Sequence, residues 1–308
     1  MNALMDFLHW WIPWEPSASV VVVFAVTVWL YWRGLRRSRL AVPWYRQLFF
    51  WSGMLLLYVC LHTQLDYYAE HEFFIHRIQH LGLHHLGPFL VVLGYPGPTL
   101  RRGLPLRWRA RYLRPLLAWP PVRGFFDVLL NPWTAGLLFV GLIYLWLWPP
   151  VHFIAMLDWR LYHLMNFSMA ADGVLFWWLV LDHHSRPPAR ISAGGRIFLA
   201  FAVIFPQILI GAYIALTTTD LYPIYSLCGR AFSISPMADQ HLGGLIIWIP
   251  SAMMSALGGL VAFSHWIRLD KSGRLPRNRR QREQARARAV AAQPDGPDAL
   301  AGSMEKLT

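Results

Sequence analysis

Residues 71–88 read HEFFIHRIQHLGLHHLGP, an apolar stretch that carries His71, Glu72, His76, His80, His84 and His85. Wound as a helix at about 100° per residue, it sets Glu72, His76, His80 and His84 in one stripe roughly 120° wide. His71 and His85 point away from that stripe. Imidazoles one turn apart, as at His76 and His80, can both reach a single metal ion. The bland alternative is a set of histidines that hydrogen-bond between helices. Elsewhere, His163 is followed by Asn166 on a neighbouring face, and Asp239, Gln240 and His241 run together. Met156, Met165, Met169 and Met237 lie near the ends of apolar blocks, as do Cys60 and His62. Imidazole with thioether favours copper among the first-row metals. The predicted metal set is His76, His80 and His163, with His84, Asp239, His241, Met165 and Met169 as further ligands. Read this way, the groups bind a metal ion rather than turn over a substrate, and the chain is not an enzyme on that reading.

Other polar residues have plainer readings. Asp172 falls on the side of its helix opposite His163 and should pair with another helix. Arg77 either snorkels outward or pairs with Glu72 or Asp239. His183 and His184 close an apolar block and read as solvated loop residues. Pro206 and Pro250 can kink their helices, and Gly243–Gly244 and Gly258–Gly259 permit close helix approach. Cys60 and Cys228 are the only cysteines, with no Cys-x-x-Cys pair. A zinc knuckle or thioredoxin-like motif is therefore excluded, and a disulfide between the two stays open.

The elements that must hold these groups are membrane spans. The chain has 308 residues, 56% hydrophobic and 14% charged, too apolar for an ordinary soluble domain. Its apolar residues come in blocks of the length that crosses about 30 Å of hydrocarbon. The blocks are Ser17 to Trp32, Gln47 to Gln64, Glu70 to Gly94, Pro132 to Trp148, Leu161 to Leu181, Arg196 to Leu216 and His241 to Trp266. Their runs are continuous rather than alternating, which argues for helices and against a barrel. Seventeen Trp and 12 Tyr, many at block ends, suit interfacial belts. The first run starts after Pro16 without a small-residue cleavage site and reads as a permanent span rather than a signal peptide. The predicted fold is an all-α polytopic membrane protein with seven transmembrane helices: a membrane domain over 1–268 and a basic, largely disordered tail over 269–308.

The basic residues orient it. Arg33, Arg36, Arg37, Arg39 and Arg46 follow span one, and seven arginines from Arg101 to Arg123 follow span three. Arg186, Arg190 and Arg196 follow span five, and the tail from Arg268 carries ten more basic residues. Only Arg77, Arg160 and Arg230 lie elsewhere among the 28. Basic loops stay in the cytoplasm, so the N-terminus is placed outside and the C-terminus inside. Span three then enters from outside, with His76 and His80 in its outer half. The net charge of +12 is thus spent on topology and anionic lipid rather than nucleic acid. The Arg-rich segment from Pro98 to Pro121 is too basic to span and should lie along the inner interface.

The stretch HRIQHLGLHHLGPFLVVLGYP resembles the third-helix signature of the multi-span, caa-type CtaG family of cytochrome c oxidase assembly factors. The matching residues are His76, Gln79, His80, Pro88, Gly94 and Pro96. NPWTAGLLFVGLIYLWLWPP and YHLMNFSMAADGVLFWW are similar to the next two helices, at His163 and Gly173 through Trp177. ADQHLGGLIIWIP resembles a further family segment at Asp239, Gln240, Gly243, Gly244, Trp248 and Pro250. The likeness covers roughly residues 70 to 268. It implies a bacterial inner (cytoplasmic) membrane protein that matures haem–copper oxidases, supplying copper to the copper B centre of subunit I. It further implies copper as Cu(I), received from a periplasmic copper chaperone. The family often carries a second histidine one turn after the position of His163, where this chain has Phe167; Asn166, His241 or a methionine then stand as substitutes.

Three other readings compete. A membrane di-iron hydroxylase or desaturase would use His80-Leu-Gly-Leu-His84-His85 as one histidine box, but such boxes face the cytoplasm and need about eight histidines. A bis-histidine haem protein lacks a second span with a matching pair. A scaffold for oxidase assembly needs no metal at all, only buried histidines bonded between helices.

Overall fold

The computed structural model describes residues 9–38, 40–275 and 284. Most of the tail predicted from residue 269 lies outside the described residues. Among those described the fold is all-α, with no strand.

The elements follow the apolar blocks. Helix α1 is Ala18–Arg36, α2 Trp44–Leu61, α3 Gln64–His71 and α4 Phe73–His80. A π-helical turn, Leu81–Leu86, joins α4 to α5, Gly87–Leu93, and α6 is Gly97–Gly103. Short turns lead to α7, Pro120–Leu129, then α8, Pro132–Leu147, and α9, Pro149–Leu157. Helix α10 is Trp159–Val180, α11 Ala193–Ala202, α12 Ile204–Leu216 and α13 Pro236–Lys271. At 1.5 Å per residue α13 runs about 54 Å, longer than the hydrocarbon layer is thick.

By length and composition three helical stretches can cross a membrane: α1, Ala193–Leu216 and α13. The number rises to five if two bent pairs each count as one span: α2 with α3, bent by 52°, and α7 with α8, bent by 67°. The sequence predicts seven. The shortfall falls on predicted spans three and five. Span three is cut into α3, α4, the π turn and α5, with Glu72 extended between the first two (φ −138°, ψ 127°). Helix α10 is continuous but carries His163, Asn166 and Asp172, which dilute its apolar character.

The four basic segments meet at one end of the bundle. Arg46, Tyr95, His183, Arg268 and Arg274 line one groove there, Arg102 donates to Ser38 Oγ at 3.1 Å, and Arg190 pairs with Asp127 at 2.8 Å. Between Leu106 and Leu129 no residue is buried. Leu106, Trp108, Trp119 and Phe125 are exposed beside Arg107, Arg109 and Arg111, the make-up of a segment that lies on a membrane surface. Cys60 is buried and Cys228 exposed, and both are free thiols, so the disulfide left open above does not form.

Helix α1 holds on through a backbone crossing. A Cβ on Gly34 would stand 2.0 Å from the Thr99 carbonyl oxygen of α6, whereas one on Gly141 would meet nothing within 4 Å. Backbone cannot swing aside as a side chain can, so Gly34→Ala must push α1 off α6. We expect it to cost about 1–3 kcal/mol, read as a lower thermal midpoint in detergent, while Gly141→Ala leaves that midpoint unchanged. Equal midpoints would refute the crossing.

Candidate metal centre

Helix α4 carries the two histidines, and three contacts aim it. Asp239 of α13 caps its N-terminus: Oδ2 accepts from Phe73 N at 3.0 Å and Oδ1 from Phe74 N at 2.7 Å. These are two of the donors a helix start leaves unpaired. Gly243, one turn further along α13, leaves room for the Phe73 ring, whose nearest atom lies 2.3 Å from where a Cβ would stand. Gln79 ties the helix to its other neighbours, donating from Nε2 to Cys60 O at 2.7 Å and to Asp66 Oδ1 at 2.6 Å. Tyr162 of α10 donates to the same Asp66 oxygen at 2.7 Å.

His76 and His80 are both buried, and their Nε2 atoms face each other at 3.0 Å. His76 Nδ1 lies 3.2 Å from the Ala69 carbonyl. A carbonyl only accepts, so this nitrogen carries the proton and a neutral His76 turns a lone pair on Nε2 toward His80. Fixing one ring nitrogen on a carbonyl is also how proteins orient imidazole ligands. Two nitrogens on one ion, each about 2.0–2.1 Å from it at a tetrahedral angle, stand about 3.3 Å apart. The pair is therefore set either for an N–H···N bond or, opened slightly, for a shared cation.

The third imidazole is one that sequence reasoning missed. His152, in the first turn of α9, is fully buried with its ring centroid 5.3 Å from that of His76. Its Nδ1 donates to Trp146 O at 2.9 Å, and its Nε2 lone pair accepts from Tyr225 Oη at 2.9 Å. The signal was Pro149-Pro150: two prolines start a new helix and turn its first residues back toward the bundle.

Beyond His80 the helix widens. Pro88 has no N–H for the carbonyl of His84, four residues back, and its ring crowds that oxygen. The chain answers with the π turn, and Trp177 Nε1 donates to His84 O at 3.3 Å instead. The wider turn shifts the angular register of the residues it carries, so His85 is buried along with His84 rather than pointing away. His84 Nε2 meets Asp172 Oδ2 at 3.0 Å, and His85 Nε2 meets Gln207 Oε1 at 2.9 Å. Asp172 thus pairs with another helix, as its position opposite His163 predicts. A cavity of about 30 Å³ lies between these groups, lined by Arg77, His80, His84, His85, Met169 and Ser251. That is room for about one or two waters or a small ion. His80 Nδ1, His84 Nδ1, His85 Nδ1 and two Arg77 nitrogens have no protein partner.

Other predicted ligands lie elsewhere. His163 sits half-exposed on the flank of α10, its Nδ1 on Trp159 O at 2.9 Å, lining an outer groove with Trp14, Glu15 and Phe167. The inward stripe of α10 is instead Tyr162, Met165, Asn166, Met169, Asp172 and Gly173, at helical spacing. His241 reaches Thr217 O at 3.3 Å. Asp239 is occupied with its cap and with Arg230, whose Nη1 bridges it at 2.7 Å to Glu72 at 2.9 Å. Arg77, expected to snorkel outward or pair with these carboxylates, does neither: it is buried over the Phe73 ring at 5.0 Å. Five residues from Glu72, it leaves the helix about 140° away. Met165 is fully buried in an apolar cluster with Phe73, Tyr162 and Tyr225, and Met169 joins both that cluster and the cavity.

Fold and site together define an all-helical membrane protein with paired imidazoles buried among its helices. The model of the family described as cytochrome c oxidase caa3 assembly factor (Caa3_CtaG) matches residues 29–269, and the chain belongs to that family. It is 28% identical over 258 residues to uncharacterized proteins of Mycobacterium bovis and Mycobacterium tuberculosis, covering 81% of this chain and 38% of each relative. An uncharacterized protein of Mycobacterium leprae is 26% identical over 244 residues, covering 77% of this chain and 36% of its own length. The chain thus spans less than two fifths of these curated relatives. No solved structure matches it.

Proposed function

We propose that this assembly factor binds copper within the membrane as cargo and helps insert it into the copper B centre of oxidase subunit I. His76 and His80 hold the ion, as Cu(I), and His152, whose ring packs against that of His76, serves as the third ligand. The observation that carries this reading is the 3.0 Å approach of two buried Nε2 atoms, one of them with its other ring nitrogen held on a carbonyl. Arg77 lines the same cavity as His80, and its charge repels a monovalent ion half as strongly as a divalent one. Two- or three-coordinate ligation also lets the ion leave, which delivery requires. In this reading the chain spans the bacterial inner membrane seven times. The arginine-bearing end is cytoplasmic, and the site lies toward the outer leaflet, where a periplasmic copper chaperone could load it. Gathering the four basic segments at one end supports that orientation. The chain works without turnover chemistry of its own, its membrane domain closes near residue 268, and the tail beyond contributes positive charge near the lipid.

A metal-free scaffold is the second reading, favoured by one observation: an N–H···N bond satisfies the His76–His80 pair as it stands. Copper content separates the two. Purified wild type is expected to hold Cu(I) against a competing chelator, and His76→Ala with His80→Ala to lose it and to abolish caa3 oxidase maturation while the protein still accumulates. Maturation that survives the double substitution would sink the copper reading, and a copper-free wild type that still supports maturation would select the scaffold.

A further inference from the structure

A second cluster stands at the arginine-bearing end, where the sequence suggests only solvated loop histidines. Among the described residues Asp182, His183 and His184 are the trio of His, Cys, Asp or Glu whose ligand atoms all lie within 4.8 Å of one another, and all three are partly buried. They come directly after the last turn of α10. Asp182 Oδ1 accepts from His184 N at 3.0 Å and from His184 Nδ1 at 2.7 Å. That bond fixes the His184 tautomer and turns Nε2 outward as a lone-pair donor, the carboxylate–imidazole arrangement found behind metal-ligating histidines. The His183 ring lies against His184 at 4.3 Å, with His265 of α13 at 6.2 Å on its other side. His265 Nδ1 is buried without a hydrogen-bond partner.

The loop is held for the purpose. Arg196 donates to the carbonyls of Asp182, His184 (2.6 Å) and Ile191 (3.1 Å), so the backbone that carries the trio is clamped at both ends. Tyr95, whose ring sits 4.4 Å from His183, takes φ 51°, a left-handed conformation that costs a non-glycine residue energy. Burial and the neighbouring His184 lower the basicity of His183.

We infer that His183 and His184, with His265 as a third donor and Asp182 as the carboxylate that orients His184, form a second cation site for a divalent first-row metal such as Zn(II). Imidazoles backed by a carboxylate suit that class, and no thioether or thiolate stands among them to favour Cu(I). Arg46, Arg268 and Arg274 share the groove and repel a cation, so the ion is held weakly and exchanges. The inference does not depend on the copper reading, since it uses none of the same residues.

The test uses the full chain in detergent, any affinity tag removed, titrated with Co(II), whose visible absorption reports tetrahedral nitrogen and oxygen ligands, and then displaced by Zn(II). Wild type is expected to take up one equivalent. His183→Ala with His184→Ala should weaken uptake at least tenfold, and Asp182→Asn about 10- to 100-fold, the usual loss when a histidine's supporting carboxylate is removed. The Arg196 clamp grips the backbone carbonyl of residue 182, so Asp182→Asn keeps the loop in place and decides alone if the double variant misfolds. His76→Ala with His80→Ala should leave this Co(II) signal unchanged. No uptake by wild type, or wild-type uptake by Asp182→Asn, would overturn the site.

Discussion

Arg230→Ala is expected to destabilise the protein by roughly 3–5 kcal/mol, the usual cost of stripping one partner from a buried ion pair. Glu72 and Asp239 are 0% and 1% exposed, and a single Arg230 nitrogen reaches both, at 2.9 and 2.7 Å. Without it two carboxylates face each other away from water. Each retains some support: Glu72 accepts from Phe232 N at 2.9 Å, and Asp239 keeps its two backbone donors on α4. Those bonds stabilise one negative charge, not two in contact. The relaxation available is for Asp239 to withdraw from α4, which frays the helix that presents His76 and His80. The thermal midpoint should therefore fall sharply, and copper content with it. Arg230→Lys should recover most of both, because an ammonium with three donors can also bridge two oxygens. Adding Glu72→Gln to Arg230→Ala should recover part of the midpoint by removing one charge. A double variant no more stable than Arg230→Ala would show that the loss is steric rather than electrostatic.

The same cluster shows which parts of the site can be read from residue order. His76 and His80 are legible because they depend on one helical turn, and an i, i+4 pair survives any rotation of the helix as a whole. Asp239 is legible as a special residue but not in its role. A carboxylate near histidines suggests a ligand, whereas its oxygens cap a helix start 166 positions away, a contact set by how α13 crosses α4. Arg230 takes the place expected of Arg77 for a similar reason. Both could reach the carboxylates by length, and only the break at Glu72 decides which face of α4 looks toward them. The π turn is half legible: Pro88 shows that a carbonyl must lose its partner, but not that the helix widens rather than kinks. The count of spans is least legible, because buried polar residues in α10 and the cuts around α4 blur the apolar runs from which spans are counted.

His152→Ala should weaken Cu(I) binding by tenfold or more, while His163→Ala should stay within about twofold of wild type. The contrast tests geometry against resemblance, since the family likeness points to His163 and the fold to His152. His163 has its Nδ1 on its own helix and its ring in an outer groove. Bringing it to His76 would require α10 to turn on its axis, pulling Tyr162 from Asp66 and Asp172 from His84. His152 already packs its ring against that of His76. Its Nδ1–H is already anchored on Trp146 O, its Nε2 lone pair is held by the Tyr225 hydroxyl, and its ring is 5.3 Å from His76. Tyr225 is then a competitor for that lone pair. Tyr225→Phe removes the competing O–H and keeps the ring, so Cu(I) affinity should hold or rise, whereas a hydroxyl that served as a ligand or kept His152 in place would make it fall. Chelator competition on the three variants separates these outcomes. A loss at His163 equal to that at His152 would mean that α10 rotates when the ion binds.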